Sequence, residues 1–398
     1  MDLGDLERWR ERKTWVDAAY DPAVRGWVLQ GLLLLGLVLL ATQVVLNTAA
    51  NLEKQNIASG FDFLSRTAGF DVSQTLVPYS RKSSYGAAFL VGLVNTLLVA
   101  TLGIGLATVL GFALGIARGS PNRLAAKLAL GYVELVRNVP LLLQLLVWYV
   151  AVLRALPLPQ DAAALPGGAR FDTRGLHLPR LWIEIGSAWV VVALLLAGLA
   201  AAWLWWRGRE RRPVRRGQSD PLRLAGSAAI LLLVTLLLVI GAELHIVAPA
   251  LGRFNWEGGV DIEPEFLALL IGLSTYTAAF IAEIVRAGLD GVPQGQWEAA
   301  QALGLSRRQA LRFVILPQAL RIIIPPLTNQ YLNLTKNSSL AVAIGYPDLV
   351  SVFSGTVLNQ TGQAVEVILI TMAVYLALSL ATALAMSWFN ARTSWAER

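Results

Sequence analysis

Apolar runs long enough to cross a lipid bilayer recur along this chain, and they constrain its fold more than any motif does. About 20 residues of helix cross the hydrocarbon. An unpaired backbone group is too costly there for an irregular segment to take the place of a helix. Eight such runs are expected, near 28–46, 88–115, 125–154, 186–206, 223–247, 266–289, 318–344 and 363–389. The composition agrees: 56% of the 398 residues are apolar and 15% charged, against about 25% charged in an ordinary soluble domain. An all-α polytopic membrane protein follows. The first run has the charged stretch Arg8-Trp9-Arg10-Glu11-Arg12-Lys13 ahead of it and no small-residue cleavage signal close behind, so it reads as a spanning helix and not a signal peptide.

Charge placement orients the spans. The net charge of +7 sits in short basic runs beside the apolar segments: the N-terminal arm, Arg118 with Arg123 and Lys127, residues 207–216, and Arg286 with Arg307, Arg308 and Arg312. With eight spans these fall on one side, which the excess of Lys and Arg marks as cytoplasmic, so both termini are expected there. The opposite connections carry Asp62, Asp71, Asp161, Asp261, Glu263, Glu265 and Asp348, with Arg81 and Lys82 as a local exception. The arginine run 207–216 follows Trp203, Trp205 and Trp206, which makes it a topology anchor behind an aromatic belt and not a nucleic-acid site. The chain has no cysteine. His177 and His245 lie near outer ends of spans without a ligand cluster, so no metal site is expected.

The spans differ in character. Residues 88–154 and 266–389 hold the polar and glycine-rich ones and are expected to form a five-helix core. Residues 186–247 are two helices of Leu, Ala and Val joined by the arginine hairpin, suited to meeting lipid or packing on a neighbour. The organisation is therefore 1–87 for an N-terminal arm, first helix and outer loop; 88–154 for the first part of the core; 155–265 for outer loops and the inserted pair; 266–389 for the second part of the core; and 390–398 for a tail.

Between two of the core spans lies a polar segment, 291–317. Pro293 suits the start of a short helix; Ala299 and Ala300 leave its backbone approachable beside Glu298; Gly304 can end it before a second segment begins near Ser306. The run Gln296-Trp297-Glu298-Ala299-Ala300-Gln301-Ala302-Leu303-Gly304, followed after nine residues by Val314-Ile315-Leu316-Pro317, resembles the ATPase-docking loop of ABC importer permeases, departing only in Val314 for an isoleucine. The stretches 133–144, 282–288 and 333–340, with Gly92-Leu93-Val94-Asn95-Thr96-Leu97, are similar to permeases of polar-amino-acid ABC importers, and the long layout is most like the larger permease subunit of a general L-amino-acid importer.

That resemblance implies a type I ABC importer permease fold. It further implies docking residues Glu298, Ala299, Ala300, Gly304, Leu316 and Pro317. The partners implied are a second homologous permease, two copies of a cytoplasmic ATPase and a periplasmic amino-acid-binding protein, in a bacterial inner membrane. The chain lacks a Gly-x-x-x-x-Gly-Lys-[Ser/Thr] loop, so ATP and Mg are expected on the partner ATPase.

Polar side chains within the core spans call for partners or water. Glu134 with Arg137 and Glu283 with Arg286 are each three apart, fit to pair on one helical face either as structural clamps or as links carrying loop motion. Gln144, Thr275, Tyr276, Asn329 and Asn333 offer donors and acceptors to an amino acid, although interhelical hydrogen bonds serve Gln144 and Asn329 equally. The Pro325-Pro326 pair is expected to break or strongly bend the seventh span, as a hinge or as a fixed kink. Two other classes remain to be weighed: an ion-gradient-driven transporter using Glu134 or Glu283, and a membrane scaffold without a pathway. Neither accounts for the 298–317 spacing.

Overall fold

The computed structural model describes residues 21–54, 59–185, 242–253 and 255–393, with isolated positions between 196 and 232. Among them, five helices are long and apolar enough to cross a membrane, or six if the bent pair Arg123–Arg137 and Leu141–Ala151 counts as one span. Most of the expected pair at 186–247 lies outside the described residues.

Helix α1, Pro22–Lys54, exposes its leucines from Leu29 to Leu46, as befits a helix that meets lipid or another chain. Helix α2, Tyr85–Arg118, opens where the Ser84 hydroxyl accepts the Ala87 N–H. After α2, residues Arg123–Arg137 form α3, capped by the Asn122 side chain. Leu141–Leu146 forms α4 and runs on through a π turn, Val147–Val152.

The expected single span at 125–154 is in fact two helices bent by 105°. Pro140 explains the break, because it has no N–H to continue the helix and pushes Val139 out of the α region. Gln144 closes the gap: its Nε2 donates to the carbonyls of Val136 at 2.8 Å and Val139 at 2.9 Å, satisfying acceptors the bend exposes.

The segment 163–262 adds short strands. Strands β1 (Ala163–Ala164), β2 (Arg170–Asp172), β3 (Gly175–Leu178) and β8 (Val260–Ile262) form one antiparallel sheet. Strands β4 (Arg180–Ile185) and β5 (Ala242–Val247) pair over six residues, and β6 (Ala250–Leu251) pairs with β7 (Trp256–Glu257). The expected helix at 223–247 therefore does not extend to 247. In Ala242-Glu243-Leu244-His245-Ile246 apolar and polar residues alternate with the period of a strand, a signal that mean apolarity conceals. His177 is buried in the four-stranded sheet, Nδ1 2.6 Å from Asp261 and the ring stacked on Trp256, whose indole donates to Asp172. These contacts hold the sheet together.

Helix α5, Pro264–Asp290, is the axis of the structure; α2, α3, α4 and the later helix Leu316–Asn337 all pack on it. A Cβ on Gly111 would fall 2.5 Å from Ile281, and one on Gly115 2.6 Å from Val285. The two glycines thus let the backbones of α2 and α5 approach, which matters in lipid because association there rests on close packing. Past α5 come α6 (Gln294–Ala302), α7 (Arg307–Ala310) and a π turn at Leu311–Ile315, then α8 (Leu316–Asn337). A 3₁₀ segment at Ser338–Ile344 and a π turn at Val350–Val357 lead to α9 (Leu358–Thr361) and α10 (Ala364–Thr393). Pro325 and Pro326 lie inside α8 without interrupting it, contrary to the expected break. Membrane helices carry internal proline when neighbouring helices and local adjustments accommodate the freed carbonyls.

At the end opposite α6, the chain is tied by buried polar groups. Asn95 on α2 donates to the carbonyls of Gln74 and Pro347, both at 2.9 Å, and its own carbonyl accepts from Tyr346. Asp348 is fully buried, accepting the Ser351 N–H at 2.8 Å and facing the Tyr375 hydroxyl; burial pushes its carboxyl up to about 7.

Candidate functional site

The 291–317 segment is a helix–turn–helix built by local rules. Pro293 stands at the N-cap of α6 in an extended conformation, one position ahead of the helix it was expected to open. The other end is a Schellman turn: Gly304 adopts φ +74°, its N–H reaches the Gln301 carbonyl at 2.9 Å, and the Leu305 N–H reaches that of Ala300 at 3.1 Å. Two residues on, Ser306 and Gln309 make a reciprocal capping box that starts α7. Pro317 falls in the first turn of α8, where its missing N–H costs little.

These elements give α6 two faces. Ala300 is buried and Trp297 half-buried against the body, whereas Glu298, Ala299, Leu303 and Gly304 are exposed. Leu303 is 79% exposed, an isolated large apolar side chain on a short protruding helix. Leu316 is half-buried and Pro317 exposed. Three contacts fix α6 to the body: Gln318 Nε2 donates to Gln296 Oε1 at 3.0 Å, the Arg307 guanidinium lies over the Trp297 ring, and Arg307 donates to the Gly119 carbonyl at 3.3 Å. The loop is therefore a rigid knob joined to the ends of α2 and α8.

A charge cluster ties the same end of the helices together. Glu283 on α5 pairs with Arg118 of α2, with Arg137 of α3 at 3.3 Å and with Arg286 at 3.4 Å. The expected Glu283–Arg286 pair is present. The expected Glu134–Arg137 pair is not: Arg137 turns to Glu283 and lies over the Phe280 ring, while Glu134 remains exposed. One carboxylate serving three guanidiniums on three helices outcompetes the local spacing. Arg118, read from sequence only as a topology marker, is the most buried member, with its side chain 6% exposed.

The residues considered for substrate contact do not converge on one pocket. Gln144 is committed to the α3–α4 bend. The Thr275 hydroxyl donates to the Ile271 carbonyl of its own helix at 2.7 Å, and the Thr275 carbonyl accepts from Tyr132. Tyr276 packs on Phe280, with ring centroids 5.0 Å apart. Asn329 and Asn333 are different: with Lys336 they form an exposed stripe on α8, and neither asparagine makes a side-chain hydrogen bond among the described residues. A polar stripe on a spanning helix belongs against a protein partner or a wet pathway, since a lysine left to hydrocarbon costs at least ~2.5 kcal/mol.

The permease class of transporter subunit is shown by comparison with known proteins. The family model for the binding-protein-dependent transport system inner membrane component matches residues 107–395, and the chain belongs to that family. It is 48% identical over 382 residues to the general L-amino acid transport system permease protein AapQ of Rhizobium johnstonii, covering 96% of this chain and 95% of that one. It is also 48% identical over 382 residues to the putative amino-acid ABC transporter permease protein YhdX of Escherichia coli K12, covering 95% and 96%. Identity is 38% over 408 residues to the glutamate/glutamine/aspartate/asparagine transport system permease protein BztB of Rhodobacter capsulatus, covering 95% and 96%. The chain is thus a predominantly helical ABC importer permease, its short sheets at 163–262 departing from the expected all-α fold, and the ion-gradient alternative finds no support among these relatives.

Proposed function

We propose that this chain forms one half of the translocation pathway of an ATP-driven importer of L-amino acids in the bacterial inner membrane, with both termini in the cytoplasm. The observation that carries the reading is the α6 knob, with Glu298, Ala299, Leu303 and Gly304 exposed on a helix whose other face is anchored to α2 and α8. Near-complete alignment with permeases named for amino-acid transport supports the substrate class. In this reading two copies of an ABC ATPase bind ATP and Mg in the cytoplasm, and one receives α6. A homologous second permease covers the Asn329–Asn333 stripe, and a periplasmic receptor delivers the amino acid.

Movement of the ATPase pushes α6, and the rigid knob passes the displacement to the ends of α2 and α8. The Arg118–Glu283–Arg137 cluster then makes α2, α3 and α5 move as one body. The test is amino-acid uptake into sealed vesicles holding the reconstituted assembly, with ATP inside and receptor outside. Uptake that needs both, and falls when Glu298 and Gly304 are changed in an intact assembly, supports the reading. Uptake driven by an imposed ion gradient without ATP overturns it.

A further inference from the structure

Helix α3 is apolar on more than one face. One face is buried: Ala129 and Val133 are 4% and 0% exposed, and Val133 packs on Ala279 and Ala282 of α5. Away from it, Leu124, Leu128 and Leu135 are spaced by four and seven residues and so share one row of the helix. They are 67%, 66% and 68% exposed. Arg123 and Lys127, each one position ahead of a leucine, form the neighbouring row. Both are exposed, and neither makes an ion pair among the described residues.

With 15 residues α3 is about 22 Å long, too short to cross the hydrocarbon, and it is turned 105° from the helix that follows. Its start adjoins the docking segment, since Arg307 reaches the Gly119 carbonyl just before the Asn122 cap, and its end is held by the Arg137–Glu283 pair. The helix therefore lies across the spans at the end of the molecule that carries α6.

A row of leucines beside a row of cations excludes most surroundings. Hydrocarbon alone would strip Arg123 and Lys127 of water. Water alone would leave three large apolar side chains bare on one short helix. A protein surface closed over both rows would have to bring carboxylates to the cations. The boundary between acyl chains and headgroups accepts both rows, because long basic side chains reach from an apolar seat to phosphate. Arg123 also stands in the first turn of α3, which holds no acidic residue and where the field of the helix disfavours a cation. An external anion offsets that field. The basic runs along the chain put this end on the cytoplasmic side, whose leaflet carries the anionic lipids.

We propose that α3 is an interfacial helix seated in the cytoplasmic leaflet, with Leu124, Leu128 and Leu135 among the acyl chains and Arg123 and Lys127 on the phosphates of anionic phospholipid. The choice of leaflet rests on the cytoplasmic placement of the α6 end proposed for this importer. Through Arg137 and Glu283 the lipid contact bears on α2 and α5 as well, so it sets the depth at which that rigid body sits when α6 is pushed.

The test uses the complete transporter in nanodiscs, with a bimane fluorophore on Leu124→Cys, Leu128→Cys or Leu135→Cys, since the chain has no native cysteine. Quenching is measured with phosphatidylglycerol or phosphatidylcholine carrying a nitroxide on the acyl chain, and with aqueous iodide. All three positions should be quenched by lipid in preference to iodide. Phosphatidylglycerol should act at roughly fivefold lower mole fraction than phosphatidylcholine, the equivalent of about 1 kcal/mol, and Arg123→Gln with Lys127→Gln should abolish that preference. Iodide quenching in excess of lipid quenching would overturn the proposal, as would quenching by neither, which means a face covered by the second permease or the ATPase. Equal quenching by the two lipids in the chain with its cations intact would also overturn it. An impermeant maleimide that reaches Glu134→Cys only from outside intact cells would instead refute the cytoplasmic placement, and the lipid preference would still decide whether α3 binds anionic phospholipid.

Discussion

Replacing Glu283 with glutamine removes the one carboxylate shared by Arg118, Arg137 and Arg286, and the structure allows its effect to be estimated. Arg118 is 6% exposed, close to the buried limit, where loss of one partner costs about 3–5 kcal/mol because a charge is left uncompensated. Glu283 itself is 34% exposed, which lets water take up part of that loss. The pairs with Arg137 and Arg286 involve side chains 35% and 45% exposed and contribute about 0–1 kcal/mol each. A destabilisation of ~3 kcal/mol is expected for Glu283→Gln, measured by equilibrium unfolding in mixed micelles. The double change Arg118→Met with Glu283→Gln should recover about half of it, because both the buried charge and its partner are then gone. A single variant as stable as the unmodified chain, or a double variant whose loss is the sum of the two singles, would refute the view that one carboxylate neutralises a buried guanidinium here.

Three further outcomes are expected. Gly304→Val places a β-branched residue at φ +74°; the left-handed conformation costs about 1–2 kcal/mol, and in the vesicle assay uptake should fall while purified assemblies keep their composition. Gln144→Leu leaves the Val136 and Val139 carbonyls without their donor, a loss of about 1–3 kcal/mol that should appear as faster hydrogen exchange at the α3–α4 bend. The Asp348 carboxyl is raised by burial to about 7, so the folded state favours its protonated form. Stability from this group is full below the ordinary carboxylate range and is lost as pH rises through about 7, by ~4 kcal/mol in all. Unfolding titrations from pH 4 to 8 should show that slope in the unmodified chain and lose most of it in Asp348→Asn.

Much of this architecture was legible because bilayer physics leaves few alternatives. The runs at 28–46, 88–115, 266–289 and 363–389 each contain only one kind of signal and became single helices. The helix–turn–helix at 291–317 was legible for a different reason: Gly304 and Ser306 are local devices whose meaning depends on their immediate neighbours alone, whereas Gln309, the other half of the capping box, was not read from the sequence. Where two signals competed, apolarity hid the decisive one. Pro140 divided a run that hydropathy joined, and the alternation from Ala242 to Ile246 made a strand at the end of an apolar stretch. Long-range partnerships were out of reach. No spacing rule joins Arg118 to Glu283, 165 positions away, and that partnership drew Arg137 from Glu134. The Asn95–Tyr346–Asp348 ties between α2 and the 345–351 loop likewise emerge only when the helices are packed.

The central claim is that the outer face of α6 seats in the ATPase, and the chain's lack of native cysteine makes a direct test clean. Single cysteines at Ala299 and Leu303, both exposed, and at Ala300, which is 1% exposed, would be paired with cysteines scanned across the ATPase surface in the native membrane and oxidised with and without ATP. The account predicts disulfides from 299 and 303 to one cleft of the ATPase, shifting in yield with ATP, and none from 300. Disulfides from 300 with none from 299 or 303, or an ATPase that crosslinks only to the end of the chain carrying Asp348, would contradict it.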